Sequence, residues 1–511
     1  MSFKQNCEIT MTNAPFTGEN VFLQRSPENK PLPSYEQGKS KLPRPYWEGH
    51  DDYIDCYNKA WQLAFGNLRS PAEGSGFVSN FIDTAFNGCI FMWDSSFMLM
   101  FGKYGSRAFN FQGTLDNFYS HQHRDGFICR EIREDNGEDQ FTRFDPSSTG
   151  PDILPWCEWE YFLNTGDKER LANVFPPLMA YHGWMRENRT WLDGTYWSSG
   201  WGCGMDNLPR VQEGYSPLFS HGHMVWVDAC LQELMNCNIL TEMGKVLGRE
   251  KDTADLALEK AVLEKVINEK LWDEKTGFYY DLWKNGELSM VKHIGAYWAL
   301  IAGAVPAGEK EKRFVAHLDN EKEFKRPNRV PALSMDDPRY NPDSGYWAGG
   351  VWAPTDYMVL SGLDNYGEYK LAYEIASDAL ASVISVFRDT GTLFENYAPE
   401  FVGEGGKPWH GNPSHSDFVG WSGLFPISIM LEHVFGIKPD AEHSKITWYV
   451  GLCDAFGVDN YPFGEDGVLS FGCKARSSKT DKPCVEITSN IPVTVELVWD
   501  GGSETLSVGG C

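Results

Sequence analysis

The sequence predicts an all-α fold, an (α/α)6 barrel of six helical hairpins, with a small β-rich appendage at the C-terminal end. Two observations lead to this fold class. Apolar residues recur at three- and four-residue spacing along most of the chain, and segments with strand-like alternation are few. A parallel α/β barrel would need repeated alternation of strands and helices, which the sequence lacks.

The helix predictions rest on periodicity. One stripe repeats every four residues, at Leu371, Ile375, Ala379, Val383 and Phe387, and therefore predicts a helix with one buried face. Stretches 293–305 and 423–436 are apolar nearly all round, which indicates inner helices buried between layers. The predicted helices lie near residues 52–67, 94–104, 106–121, 152–164, 167–187, 222–247, 252–271, 293–304, 309–318, 350–363, 366–388 and 418–435.

Composition divides the chain into three parts. Residues 1–45 hold Pro31, Pro33, Pro43 and Pro45 among many polar residues, which favours an extended N-terminal arm. Residues 46–437 form the predicted catalytic barrel. Residues 438–511 contain the strand-like runs ITWYVGL, LSFGCKA and VTVELVWD, and predict a small β-rich domain.

Charge limits the partners of the protein. The formal net charge is −26, so the field repels nucleic acid and anionic membranes, and a neutral small substrate fits better. The first residues lack a secretion signal and no apolar run approaches the ~18 residues of a membrane span, so we expect a soluble, cytoplasmic protein. The 12 cysteines lack paired C-x-x-C spacing, which favours reduced thiols without a metal or cofactor. Nothing in the sequence predicts the oligomeric state.

Carboxyl groups set among Gly, Trp and Tyr are the candidates for catalysis, because glycoside hydrolysis needs one acid and one base. In the segment 91–105, Trp93 and Asp94 precede a predicted helix, where Asp94 is either a helix N-cap or a ligand of sugar hydroxyls. In the segment 124–135, Arg130 and Glu131 are either a solvated ion pair or part of a binding pocket.

Two further loops carry candidates for the acid and the base. Segment 196–210 holds Trp201 and Asp206 among glycines, and Asp206 is open to two interpretations, a catalytic acid or an ordinary turn residue. The long loop 392–424 carries Glu395, Glu400 and Glu404, of which Glu395 is favoured by its aromatic neighbours.

Several ordered motifs carry a family resemblance. The chain resembles the group of glycoside hydrolase families 63 and 37, which includes processing α-glucosidases, mannosylglycerate hydrolases and trehalases, over roughly residues 50–436. The matching motifs are Trp93-Asp94-Ser95, Gly126-Phe127-Ile128 with Arg130, Gly204-Met205-Asp206-Asn207 with Pro209, WDEKTGFYYD (272–281), YWAGGVW (346–352), ENYAP (395–399) and GWSGL (420–424).

The resemblance implies roles for these residues. The general acid falls on Asp206 and the general base on Glu395, in an inverting, exo-acting hydrolase of a neutral α-linked glucoside or mannoside. Sugar binding falls on Trp93, Asp94, Arg130, Glu131, Trp201, Trp352 and Trp421. Two departures put the substrate in doubt: Ala348 stands where the family often has Arg, and the acid segment SGWGCGMDN is longer than usual, which we expect to reshape the leaving-group side.

Three other functions stay open on the sequence. A polysaccharide lyase or sugar epimerase on the same toroid would use histidines such as His221, His223, His410 and His415, and the same residues could hold a catalytic metal. A lyase's anionic substrate fits poorly with the charge of the chain. A non-catalytic carbohydrate-binding protein would keep the aromatic residues without needing the two carboxyls.

Overall fold

The structure, a computed structural model, describes residues 17–84, 87–400 and 415–509, which fold into a helical body and a C-terminal β-sheet region. The helices are α1 (Tyr35–Gly38), α2 (Asp51–Gly66), α3 (Met92–Gly102), α4 (Gly113–Ser120), α5 (Leu154–Thr165), α6 (Lys168–Asn188), α7 (Val227–Val246), α8 (Leu256–Val266), α9 (Trp298–Ile301), α10 (Glu309–Ala316), α11 (Ala353–Asn365), α12 (Tyr369–Thr390) and the π-helical α13 (Phe425–Val434).

One set of helices packs in sequence around the middle of the body. Helix α3 contacts α5, α5 contacts α7, α7 contacts α9, and α9 contacts α11. Helix α13 and the turn Ser422–Leu424 before it contact both α11 and α3. Every residue of α3 and α13 is buried, as expected for helices that are apolar on all sides.

A second set of helices lies outside the first. Helix α12 buries Ile375, Ala379 and Val383 against α11 and α13, so the predicted apolar stripe is the packing face. Helix α8 packs on α7 in the same way. Asp167 begins α6 by accepting a hydrogen bond from the Arg170 N–H, and Gly391 ends α12 in the left-handed conformation, so both boundaries follow local chain chemistry.

The strands are β1 (Arg44–Trp47), β2 (Leu68–Arg69), β3 (Phe81–Ile82), β4 (Cys89–Phe91), β5 (Glu131–Arg133), β6 (Trp272–Asp273), β7 (Phe278–Tyr279), β8 (Ile437–Asp440), β9 (Lys445–Tyr449), β10 (Phe456–Phe463), β11 (Gly467–Cys473), β12 (Val485–Ser489), β13 (Val493–Trp499) and β14 (Gly502–Val508). The C-terminal strands form two sheets, ordered β1-β10-β11-β12 and β14-β13-β9-β8. The predicted C-terminal strands correspond to β9, β11 and β13.

The N-terminal segment joins both parts of the molecule. Strand β1 pairs antiparallel with β10, with Arg44 opposite Asp459 and Trp47 opposite Phe456. Asn20 donates hydrogen bonds to the Tyr119 carbonyl and the Gln122 side chain, which ties this segment to the end of α4. The division at residues 45 and 437 stays a prediction.

Two general properties of the described residues bear on the sequence predictions. The cysteines there are free thiols, most of them buried. No helix in this part of the chain combines the length and the apolar character that crossing a bilayer requires.

Gly436 makes the connection between α13 and β8. Its φ of +77° lies in the left-handed region. A Cβ at this position would lie 1.8 Å from the Tyr449 carbonyl oxygen, in the strand that pairs with β8. Both the conformation and the close approach therefore require glycine.

Gly436→Ala should lower the free energy of unfolding by more than the ~1–3 kcal/mol that a left-handed alanine alone costs, because the backbone must also move apart. Gly303→Ala is the matched control, since Gly303 has a φ of +64° with no atom within 4 Å of the added Cβ. Urea unfolding of both variants measures the difference. Equal losses of stability would contradict the role of the close approach.

Candidate active site

A cavity of about 410 Å3 lies at the N-terminal end of α3, within the usual volume range of small-molecule sites. Its walls come from α3, β4, β5 and several loop segments. The lining residues are Asn87, Phe91, Met92, Trp93, Asp94, Arg130, Glu131, Gln140, Phe141, Gly150, Pro151, Trp201, Gly204, Asp206, Tyr346, Trp347, Glu395, His415 and Trp421.

The structure brings nearly all of the predicted site residues to this one cavity. Those that line it are Trp93, Asp94, Arg130, Glu131, Trp201, Asp206, Glu395 and Trp421. Trp352 is fully buried behind the wall, where it stacks on Trp347 with ring centroids 4.0 Å apart. Trp352 therefore supports a lining ring instead of lining the cavity itself.

The inner wall is built by the first turn of α3. Phe91 is the N-cap residue of this helix, so Asp94 lies inside the first turn and is not the N-cap. Asp94 is only 5% exposed, and burial, followed by the charges of Glu395 and Glu131, raises its pKa well above the ordinary value. The indole N–H of Trp93 has no partner among the described residues, so it can donate to a sugar hydroxyl.

Arg130 and Glu131 form an ion pair in the wall of the cavity. The guanidinium Nη2 lies 2.7 Å from Glu131 Oε1, and Nε donates to the Ser147 carbonyl at 2.7 Å. The guanidinium also lies over the Phe141 ring, 4.7 Å from its centroid. Because both side chains are largely buried, this pair differs from a solvated surface ion pair.

The loop that carries Asp206 is held at several points. A Cβ on Gly200 would lie 2.0 Å from the Pro217 carbonyl oxygen and 2.6 Å from that of Asp206, so the backbone segments touch. Gly204, with φ +74°, packs against the Trp93 ring. Downstream, the buried Arg210 pairs with Asp228 and Asp281, which anchors the end of the loop.

A strained turn connects the acid loop to the base. Asn207 donates to the Gly345 carbonyl at 2.9 Å and accepts a hydrogen bond from the Trp347 N–H at 2.8 Å. Tyr346, between these two residues, has a φ of +65°, which is uncommon for an aromatic side chain. Its hydroxyl donates to Glu395 Oε1 at 3.0 Å.

Glu395 is fixed through its backbone and one carboxylate oxygen. Its N–H donates to the His415 carbonyl at 2.9 Å, and the Trp421 indole N–H donates to the Glu395 carbonyl at 2.7 Å. The second carboxylate oxygen, Oε2, forms no hydrogen bond with the described residues. That oxygen is buried and keeps its full capacity to accept a hydrogen bond.

Burial sets the pKa values of the two catalytic candidates. Burial raises the pKa of Asp206 to about 6, against the lowering effect of Arg130. Burial raises the pKa of Glu395 to about 8; hydrogen bonds from Tyr346 and the His415 backbone oppose this rise, and the charge of Asp206 adds to it. The two carboxyls are thus electrostatically coupled across one cavity.

The competing residues of the sequence analysis have other positions. Glu400 pairs with Arg326 and accepts a hydrogen bond from Tyr340, outside the cavity lining. Glu404 and His410 lie outside the described residues. His221 and His223 contact each other with ring centroids 4.4 Å apart and do not line the cavity.

The buried side chains best suited to a metal lie elsewhere and already neutralise one another. His182 places Nδ1 2.8 Å from Glu233 and Nε2 3.0 Å from Glu259. Burial alone would lower the pKa of His182, but these carboxylates raise it well above the ordinary value, so the imidazole is charged. The cluster is explained as an internal ion network.

Sequence reasoning missed several lining residues. Tyr346 and Trp347 stand in a motif that was recognised, yet nothing in the motif showed that the tyrosine reaches Glu395. Phe141 and Gln140 belong to the segment after β5, which has no distinctive pattern. His415 was considered only as a proton carrier or metal ligand, whereas its carbonyl positions Glu395.

Known proteins with related sequences point to one class of enzyme. Residues 90–422 match the family described as the mannosylglycerate hydrolase MGH1-like glycoside hydrolase domain. An uncharacterized protein of Borreliella burgdorferi is 24% identical over 439 residues, which cover 83% of this chain and 88% of that protein. A probable mannosyl-oligosaccharide glucosidase of Schizosaccharomyces pombe is 24% identical over 297 residues, which cover 52% of this chain and only 35% of that relative.

A solved structure shows the same fold. The glycoside hydrolase family 63 mannosylglycerate hydrolase from Thermus thermophilus, in complex with glucose, aligns with a TM-score of 0.57 at 21% identity. The alignment covers 73% of this chain and 99% of that one. Fold and sequence together define a glycoside hydrolase. The chain belongs to the mannosylglycerate hydrolase MGH1-like glycoside hydrolase family.

Asp94→Asn should stabilise the protein at pH 7. Because the folded-state pKa of Asp94 is raised, ionising this carboxyl disfavours the folded state as the pH rises above about 4, the unfolded-state pKa. Removing the charge should raise the free energy of unfolding by about 0.5–2 kcal/mol, the usual gain from replacing a residue that serves function at the expense of stability.

Thermal unfolding at pH 7 and pH 4.5 measures this gain, which should shrink at the lower pH. Asp389→Asn, on the exposed side of α12, is the control and should leave the stability unchanged at both pH values. A gain that is equal at both pH values would refute the electrostatic explanation.

Proposed function

We propose that the protein is an inverting, exo-acting glycoside hydrolase in which Asp206 is the general acid and Glu395 the general base. The observation that carries this proposal is the presence of both carboxyls, the buried Glu395 and the half-buried Asp206, each on a separate anchored loop, in one aromatic-lined cavity. Asp206 gives its proton to the leaving oxygen as the glycosidic bond breaks. Glu395 takes a proton from the water whose oxygen bonds to the anomeric carbon.

The proposed roles of the other residues follow from their positions. Asp94 and Trp93 at the inner wall are suited to bind the hydroxyls of the terminal sugar, which favours attack at a chain end. Trp201, Trp347 and Trp421 supply apolar faces, and Trp352 supports Trp347 from behind. Arg130 fixes Glu131 at the wall.

We infer that the helical body is an (α/α)6 barrel. The sequential contacts from α3 through α13 and back to α3 support a closed inner ring, with α2, α4, α6, α8, α10 and α12 as the outer helices. The shared fold of the Thermus enzyme supports the same inference. The three-part division at residues 45 and 437, and a cytoplasmic location, also remain proposals.

A neutral substrate is favoured by the charges of the cavity. Four carboxyls line it: Asp94, Glu131, Asp206 and Glu395. Arg130 is the one Lys or Arg among the described lining residues, and Glu131 and the Ser147 carbonyl already engage it. An anionic substrate would thus meet negative charge without a free cation there. The names of the relatives, a mannosylglycerate hydrolase and a glucosidase, favour an α-mannoside or α-glucoside.

The pKa values predict a bell-shaped dependence of kcat/KM on pH, with limbs near pH 6 and pH 8. Below the lower limb both carboxyls are protonated and no base is present; above the upper limb both are ionised and no acid is present. Between the limbs the single proton prefers Glu395, so the form that holds it on Asp206 and leaves Glu395 ionised is the minor one.

Tyr346→Phe tests the assignment of the upper limb to Glu395. Losing the hydroxyl removes a hydrogen bond to the carboxylate, so the pKa of Glu395 rises and the upper limb should move up by about one pH unit. Tyr366→Phe is the matched control, because its hydroxyl bonds the remote Val305 backbone. A lower or unmoved upper limb in the Tyr346 variant would assign that limb to another group.

The stereochemistry of the first product tests the mechanism. Aryl α-glucosides, aryl α-mannosides and α-linked disaccharides should be screened, and the anomer released first should be read by NMR. We expect the β anomer, because water attacks from the face opposite the leaving group. An α anomer formed first would overturn the inverting mechanism.

Variants of the two carboxyls complete this test. Asp206→Asn and Glu395→Gln should each lower kcat at least 100-fold, as general acid and base catalysis contribute about 10²–10⁴-fold. Glu400→Gln, on the same loop as Glu395 but outside the cavity lining, is the control for loop disturbance. Full activity in either variant would show that the substituted carboxyl is not part of the catalytic pair.

A further inference from the structure

A row of aromatic side chains extends from the cavity to the protein surface. Trp201 and Phe141 line the cavity, with ring centroids 6.0 Å apart. On its other side, Trp201 contacts Phe219 with centroids 4.8 Å apart and ring planes at 70°. Phe219 is 52% exposed, although it continues a surface that begins inside the cavity.

Phe219 is held in this position by the backbone. The Trp201 N–H donates to the Leu218 carbonyl at 3.0 Å, and Gly200 packs directly on the Pro217 carbonyl. The Phe219 N–H donates to the Ser216 hydroxyl at 3.3 Å within a short turn. These contacts fix an exposed apolar ring beside Trp201 instead of allowing it to fold inward, which suggests that something else covers it.

Trp201 and Phe219 lie on the side of the cavity formed by the loop that carries Asp206. Gly200 lies against the backbone carbonyls of both Asp206 and Pro217, so the segments that carry Trp201 and Phe219 touch the backbone of the residue that protonates the leaving oxygen. A group beside Trp201 and Phe219 is therefore on the leaving-group side of the scissile bond.

We propose that Phe219 and Trp201 form a platform for the leaving group, and that this leaving group contains an uncharged pyranose ring. This inference rests on the proposed function. The two perpendicular rings form a corner that fits the C–H face of one sugar, while its hydroxyls point toward water. The Arg130 guanidinium, 5.8 Å from the Trp201 ring centroid, is already paired with Glu131, so the described lining residues offer no free cation to an anionic leaving group at this place. Phe219 is a specificity-determining residue and takes no part in bond breaking.

The test compares two substrates that share one terminal sugar. An α-linked disaccharide carries a sugar leaving group, whereas the matching α-glycosyl fluoride loses only fluoride. For Phe219→Ala, the ratio of kcat/KM for the disaccharide to that for the fluoride should fall about 10-fold, the effect of losing about 1.4 kcal/mol of binding in the transition state. Phe219→Trp should restore the ratio.

Leu258→Ala is the matched control, since Leu258 is also an exposed apolar residue, 59% exposed on α8. The ratio of kcat/KM for the disaccharide to that for the fluoride should be the same in Leu258→Ala as in the wild type. An unchanged ratio in Phe219→Ala, or an equal fall in Leu258→Ala, would overturn the platform while leaving the proposed function intact. If the wild type hydrolysed neither substrate in the glucose series or in the mannose series, the proposed function itself would be overturned.

Discussion

Removal of water from carboxyl groups is the constraint on which the chemistry of this cavity depends. Asp94, Asp206 and Glu395 each have a pKa raised chiefly by burial; the charge of Glu395 raises the pKa of Asp94 further, and the charge of Asp206 raises that of Glu395. Such a site destabilises the folded chain, so the rest of the structure must offset it. The fully buried α3 and α13 supply apolar packing next to the site.

Anchored loops hold these buried carboxyls in fixed positions. The acid loop is anchored by close glycine contacts and by the buried ion pairs of Arg210, and the base is anchored through its backbone. Asn207 of the acid loop binds the turn at residues 345–347 through two hydrogen bonds. Tyr346, in the same turn, donates a hydrogen bond to Glu395. Because one turn contacts both sides, a shift in the position of the acid loop reaches the base directly.

The sequence predicted most helices of the body because periodicity records burial. The stretches near 350–363 and 366–388 became α11 and α12. Local patterns could not predict contacts made far along the chain. Residues 1–45 were expected to form an extended arm, and nothing in them indicated that β1 pairs with β10. Trp352 stands in a family motif but stacks on Trp347 instead of lining the cavity. Asp206 and Glu395 were found from motifs, whereas the Tyr346 contact depended on a left-handed turn that no pattern announced.

The pairing of β1 with β10 has a consequence for biosynthesis. Residues 44–47 leave the ribosome well before their partner strand at 456–463 is synthesised. This edge of the C-terminal sheet is thus completed only after the helical body has been synthesised, and a contact of such large sequence separation forms slowly. Until then β1 presents unpaired backbone groups, so the nascent chain is prone to mispairing at this edge.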